Sequence, residues 1–202
     1  MPKQRTTVID MYQFDELDDC AKERARDWYR GCTESDDFDY TLDDCAEALE
    51  ALGFRLGNRY NKRTIYWDAN PPIDAAFDAT WSAQRFAPDK LLADRPTDKE
   101  LHRITAELAT VARAYPNAHG SCTSGRNRNQ TAEFDANVED CEREAEESAQ
   151  GTADTFRTAV TDLAHWVATT INAEYEYQYS AECVDESIRC NEYEFDINGK
   201  RI

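Results

Sequence analysis

From Thr152 onward, Phe156, Val160, Leu163, Val167, Ile171 and Tyr175 recur every three or four residues, with Trp166 beside them. That period belongs to an α-helix carrying one continuous apolar stripe. So long a stripe is stable only when covered along its length, so the helix is expected to be the spine of the core. The rest of the chain must supply the surfaces packed against it.

Several other segments carry patterns of their own. Residues 14–30 put Leu17, Ala21, Ala25, Trp28 and Tyr29 on one helical stripe. A second helix is expected from Thr41, as N-cap with Asp44 three residues on, through Leu42, Cys45, Ala46, Leu49 and Leu52 to Gly53. These two are expected to pack as a hairpin. The stretches FRL and TIYWDA flank the turn GNRYNKR, and AAFDATW places Phe77, Ala79 and Trp81 on one face of a strand. Thr97 and Glu100 form a capping-box pattern ahead of Leu101, Ile104, Leu108 and Val111, which predicts a helix over 97–114. AHGSCTS and QTAEFDANVE then read as paired strands across SGRNRN, the second with Ala132, Phe134, Ala136 and Val138 on one face and acids on the other. Residues 139–151 are charged and rich in small residues, and are expected as an acidic loop, or the frayed start of a helix, outside the core. Ser180 is a candidate cap for a shorter helix carrying Cys183 and Cys190. The Asn198-Gly199 pair predicts a terminal hairpin over 193–202, with Asp196 opposite Arg201 and Phe195 opposite Ile202. No repeat and no Gly/Ser/Pro linker divides the chain. The expectation is one α+β domain over 1–202, an antiparallel sheet packed against several helices.

The 202 residues carry 41 Asp and Glu against 23 Lys and Arg, a net charge of −18. Such a chain cannot neutralise the phosphate backbone of a duplex, so direct nucleic-acid binding is excluded and a partner should be basic or neutral. Hydrophobic residues at 41% suffice for an ordinary core, so disorder is not expected despite the charge. No apolar run reaches the roughly 18 residues of a membrane span, and the opening MPKQRTTVIDMYQFDELDD lacks the apolar stretch of a signal peptide. A cytoplasmic protein is expected, with no membrane contact. Its seven cysteines, with no CxxC pair, read as free thiols.

Signs of catalysis are sparse. His102, His119 and His165 lie far apart, and TESDDFDYTLDD has acids without the glycine of a calcium loop, so no metal is expected. Neither GxxxxGK[ST] nor GxGxxG is present to cradle phosphates, and no cofactor is expected. The one local suggestion of nucleophilic chemistry is AHGSC, where His119 precedes Ser121 and Cys122 without an identifiable third group. No catalytic residue is assigned.

Charge clustering stands above this background. Residues 34–50 hold eight acids and no Lys or Arg, residues 133–147 hold eight acids and Arg143, and residues 174–196 hold eight acids and Arg189. Residues 55–63 carry Arg55, Arg59, Lys62 and Arg63 with no acid. Carboxylates at alternate strand positions, as at Glu133 and Asp135, repeat at about 6.6 to 6.8 Å, similar to neighbouring phosphates on one nucleic-acid strand. An acidic face of this kind is drawn to Lys/Arg-lined channels over long range, with strong salt dependence. The candidate partner-binding residues are Asp36, Asp37, Asp39, Asp43 and Asp44, together with Glu133, Asp135, Glu139, Asp140, Glu142, Glu144, Glu146 and Glu147. The alternative is a solvated acidic surface that serves solubility.

The stretches YQFDELDDCAKERARDWYR, TIYWDA, DKELHRI and INAEYEYQYSAECVDESIRCNEYEFDINGKR together resemble a family of small acidic proteins common in tailed phages and prophages. Most members are of unassigned function and some are labelled antitoxin-like. The sequence departs from the family after TIYW, where DANPPIDAAF stands in place of a Gly/Ser-rich turn. The resemblance implies a phage origin and a bacterial host cytoplasm. With the acidic clusters, that origin gives the expectation of an anti-defence inhibitor, anti-CRISPR or anti-restriction, bound to a basic host protein or ribonucleoprotein. A regulator or antitoxin-like protein that binds by ordinary interface packing is the alternative. An enzyme working at His119 comes third.

Overall fold

The computed structural model describes residues 10–32, 38–59, 62–63, 65–68, 74–124, 130–135 and 143–202. In chain order the elements are β1 (Tyr12–Gln13), a 3-10 turn at Phe14–Glu16, α1 (Asp19–Cys32), α2 (Asp39–Ala51), β2 (Leu52–Leu56), β3 (Asn58–Arg59), β4 (Lys62–Arg63), β5 (Ile65–Asp68) and β6 (Asp74–Phe77). They continue as β7 (Ala79–Phe86), α3 (Asp89–Asp94), α4 (Lys99–Ala114), β8 (His119–Ser124), β9 (Gln130–Asp135), α5 (Arg143–Gln178), α6 (Ala181–Cys190) and β10 (Glu194–Phe195). The fold is α+β with antiparallel sheets. Read from the sequence as one domain, 1–202 gathers its contacts into two compact units, Phe38–Ala173 and the two flanks Met1–Asp37 with Glu174–Ile202. Of the first two helices, α1 lies in the smaller unit and α2 in the larger.

The larger unit is built on a four-stranded antiparallel sheet in the order β2-β7-β8-β9. Phe54 stands opposite Trp81, Trp81 opposite Gly120 and Gly120 opposite Phe134. α5 lays Phe156, Val160, Leu163, Val167 and Ile171 into the core, all fully buried. Phe156 stacks near Phe54 at 6.4 Å and lies 5.0 Å from Trp81, ring to ring. The indole N–H of Trp81 donates to the Leu52 carbonyl at 2.9 Å, so its one polar group is satisfied inside the core. The expected strand AAFDATW divides at Asp78 into β6 and β7. There the Asp78 carboxylate accepts from the backbone N–H and hydroxyl of Ser124 at 2.8 and 3.0 Å. The Gln130 side-chain amide bonds both backbone groups of Phe77, at 2.9 and 2.8 Å, in the way a strand neighbour would.

Two helix starts differ from expectation. α2 begins at Asp39, two residues before Thr41. α4 is capped by Asp98 in place of Thr97, because the Asp98 Oδ1 accepts from the Leu101 N–H at 2.9 Å. Its Oδ2 accepts the indole N–H of Trp166 at 2.8 Å. The stretch from Arg143 to Gly151, expected as acidic loop or helix start, is helical and forms the first turns of α5, so the loop reading is corrected there. Abundant Glu and Ala in REAEESAQ favour helix once a longer helix is nucleated downstream.

The smaller unit packs α1 against α6 around Phe14, Leu17, Ala21, Ala25, Val184, Ile188 and Phe195. Arg26 grips Asp185 through two bonds of 2.6 and 2.9 Å, and Arg189 grips Asp15 at 2.9 Å. Ser180 caps α6 as expected, accepting from the Cys183 N–H. The cysteines at 183 and 190 are not the core of that helix, which buries Val184 and Ile188 instead. β10 pairs with β1, Tyr12 opposite Phe195. The terminal hairpin is present with its register shifted by one residue: Phe195 bridges Arg201, not Ile202, and the Asp196 N–H donates to the Lys200 carbonyl at 2.9 Å. A two-residue type I′ turn needs positive φ at both Asn198 and Gly199, and only Gly199 has it, at 79°. The loop is therefore the three-residue form that ends in a left-handed residue.

Candidate partner-binding surface

α2 buries Cys45, Ala46, Ala48 and Leu49 and turns Asp39, Asp43, Glu47 and Glu50 outward. At 100° per residue these four acids fall on one stripe, spaced by about 4.5 to 6 Å along the axis. Tyr40 flanks the stripe and is 83% exposed. No Lys or Arg lies on the helix. Asp44 leaves the stripe and pairs with Arg95 at 3.6 Å, and its side chain is 70% exposed, so this pair holds little energy. A groove between α2 and α3 is lined by Asp44, Glu47, Lys90, Leu91, Asp94 and Arg95.

The electrostatics of α2 work against the helix. Asp39 at its N-terminus favours the macrodipole, while Glu50 in the last turn, and Glu47 close before it, oppose it. Asp39/Asp43, Asp43/Glu47 and Glu47/Glu50 are like-charge neighbours at helical spacing, each costing about 0.2–0.5 kcal/mol. The buried face offsets these costs.

Of the expected partner-binding residues, Asp39, Asp43 and Asp44 stand exposed on α2. Glu133 is exposed on β9, in register with Ser121, and Asp135 ends the same strand. Glu144, Glu146 and Glu147 lie in the first turns of α5. Asp36, Asp37, Glu139, Asp140 and Glu142 lie outside the described residues. Glu47 and Glu50, absent from the expected set, complete the α2 stripe. Their signal was the spacing of four residues from Asp43 to Glu47 and of three from Glu47 to Glu50.

The AHGSC segment forms part of β8. Its register sets His119 between Ser82 and Asp135 and Ser121 between Thr80 and Glu133, with His119 exposed and Ser121 half-buried. Cys122 points the other way, into the core, and burial pushes its thiol up to about 12, far from a reactive thiolate. Among the described residues no group of three or more His, Cys, Asp or Glu is placed to hold a metal ion, and no described helix is long and apolar enough to cross a membrane.

A sequence model of the family described as Domain of unknown function (DUF8835) matches residues 38–181. The chain belongs to this family. Among curated proteins none matches, and no solved structure does. The DUF8835 stretch begins at Phe38, the first residue of the larger unit, and contains α2, β9 and α5. α1 and the terminal hairpin lie outside the DUF8835 match.

Proposed function

We propose that this DUF8835 protein is a binding protein whose exposed α2 face docks on a basic surface, in its most specific form the nucleic-acid groove of a bacterial defence complex or nuclease. The observation that carries this reading is the stripe Asp39, Asp43, Glu47 and Glu50 on a helix whose own sequence has no Lys or Arg, a stripe that opposes the helix dipole at its C-terminal end. A surface selected for solubility alone gains nothing from stacking like charges where they weaken a helix. Glu133 and Asp135, at alternate positions of β9, add carboxylates at a similar interval. The resemblance to phage proteins gives the anti-defence version its weight.

Tagged protein incubated with a bacterial lysate at low and high salt tests the reading, with bound proteins identified by mass spectrometry. A basic nucleic-acid enzyme retained at low salt, released at high salt and lost with Asp39→Lys/Asp43→Lys/Glu47→Lys supports it. A partner that the triple variant retains as well as wild type refutes docking through α2.

Tyr40 favours a second reading, a regulator or antitoxin-like protein that binds by packing. An 83% exposed tyrosine is a ready anchor for an interface. Salt-resistant capture abolished by Tyr40→Ala selects it.

A further inference from the structure

We propose that a cleft in the smaller unit, between α1 and the terminal hairpin, binds a small phosphate-bearing molecule through Arg24, Lys200 and Arg201. Its lining comes wholly from the smaller unit and includes no residue of α2.

It is a built site. Gly199 holds the left-handed φ of 79°, and a Cβ there would stand 2.0 Å from the Ala21 carbonyl oxygen, so the hairpin turn lies directly on the α1 backbone. That contact brings Lys200 and Arg201 beside Arg24 and Trp28, which together with Asn198 line the cleft. The Asp196 carboxylate, the acid among the described lining residues, accepts the N–H groups of Asn198 and Lys200 through Oδ1, at 2.9 and 3.0 Å, and so shapes the turn. Arg24 donates one N–H to the Asn198 carbonyl at 3.0 Å, which fixes its guanidinium and leaves the other donors open to the cleft. Arg201 is clamped over two rings, 4.5 Å from the Tyr193 centroid and 5.1 Å from that of Trp28. Its rotamer is set before any ligand arrives.

The charge pattern identifies the ligand. Residues 10–32 and 174–202 hold fifteen acids and seven bases. Arg26, Arg30 and Arg189 each take a carboxylate there, at 2.6 to 3.3 Å. Arg24, Lys200 and Arg201 carry no ion pair among the described residues, although acids are in excess; Lys22, the seventh base, has none either but lies over the Phe14 ring, outside the cleft lining. Three cations without an ion pair and one carboxylate leave this concavity an excess of two positive charges, which matches a group of charge about −1.5 to −2 with several acceptor oxygens, and the planar fork of arginine fits a phosphate. A ligand with a single carboxylate would leave one of those two charges unanswered. A nucleic-acid strand would run out of the cleft over a chain of net charge −18, so the ligand is compact.

Titration of the full-length protein with pyrophosphate, at ionic strength held constant with sodium chloride, tests this by calorimetry and by NMR shifts of the residue 196–201 amides. Saturable binding is expected, with those amides shifting and with Lys200→Ala and Arg24→Ala each weakening affinity about tenfold. Lys200 is exposed, so its removal leaves the fold intact, and an unchanged melting temperature verifies that. Inorganic phosphate should bind the same residues more weakly. Three outcomes overturn the proposal: no saturation beyond the effect of salt, saturation that both variants leave unchanged, or a short DNA duplex binding more tightly than pyrophosphate.

Discussion

The ring of Phe156 fills the space beside Gly120: a Cβ at position 120 would lie 2.6 Å from its Cζ and 2.8 Å from its Cε1. Phe156 is fully buried between Phe54 and Trp81 and has no room to retreat. Gly120→Ala should therefore destabilise the protein by about 1–3 kcal/mol, read from urea denaturation. Shortening the ring with Phe156→Leu in the same chain should recover part of that loss. Independent, additive costs for the two changes would contradict the contact.

Asp98 uses one carboxylate oxygen for the Leu101 N–H and the other for the indole N–H of Trp166. Asp98→Ala loses a helix cap, worth about 0.5–2 kcal/mol, and strands the indole donor as well. Asn keeps a single side-chain acceptor, so Asp98→Asn should fall between wild type and Asp98→Ala. Equal stability of the Asn and Ala variants would show that only one of the two bonds matters.

Cys45 and Cys122 are buried, and desolvation pushes both thiols up to about 12. Cys20, Cys32 and Cys190 are exposed. Peptide mapping after brief alkylation at pH 8 should find label on the exposed three and none on the buried two until the protein is unfolded. The sign of the pH effect follows from the raised values. Between the ordinary thiol value of about 8.5 and about 12 the unfolded chain releases these protons while the folded one keeps them. Stability is thus fully present below that window and declines as pH rises through it. Replacing either buried cysteine with Ala should flatten the decline, as followed by melting temperature against pH.

Glu50 sits in the last turn of α2, where its charge opposes the carbonyl end of the helix. Glu50→Lys should raise stability by about 0.3–1 kcal/mol, removing that repulsion and offering Glu47 an opposite charge. The same variant should recover less of a basic partner at low salt. A change that both weakens binding and destabilises the fold would mean that Glu50 acts through structure.

What the sequence determined by itself is what neighbouring residues decide between them. The α5 stripe from Phe156 to Ile171 was legible because a 3.6-residue period is repeated until only a buried helix satisfies it. Ser180 was legible as a cap for the same local reason, and so were the paired strands around AHGSC and QTAEFD. The acid stripe of α2 was half legible: its charge was evident, but the inclusion of Glu47 and Glu50 depended on which helix face is buried.

Tertiary structure alone decided the rest, because the competing local choices differ by little energy until a distant group settles them. Thr97 and Asp98 are both good caps, and the choice of Asp98 goes with its second oxygen meeting Trp166. The Asn198-Gly199 pair suits a two-residue turn, yet the close seat of Gly199 on Ala21 and the pairing of β10 with β1 accompany a register shifted by one. The cleft of Arg24, Lys200 and Arg201 has no local signature at all. Its cations come from opposite ends of the chain and meet only where the hairpin packs on α1.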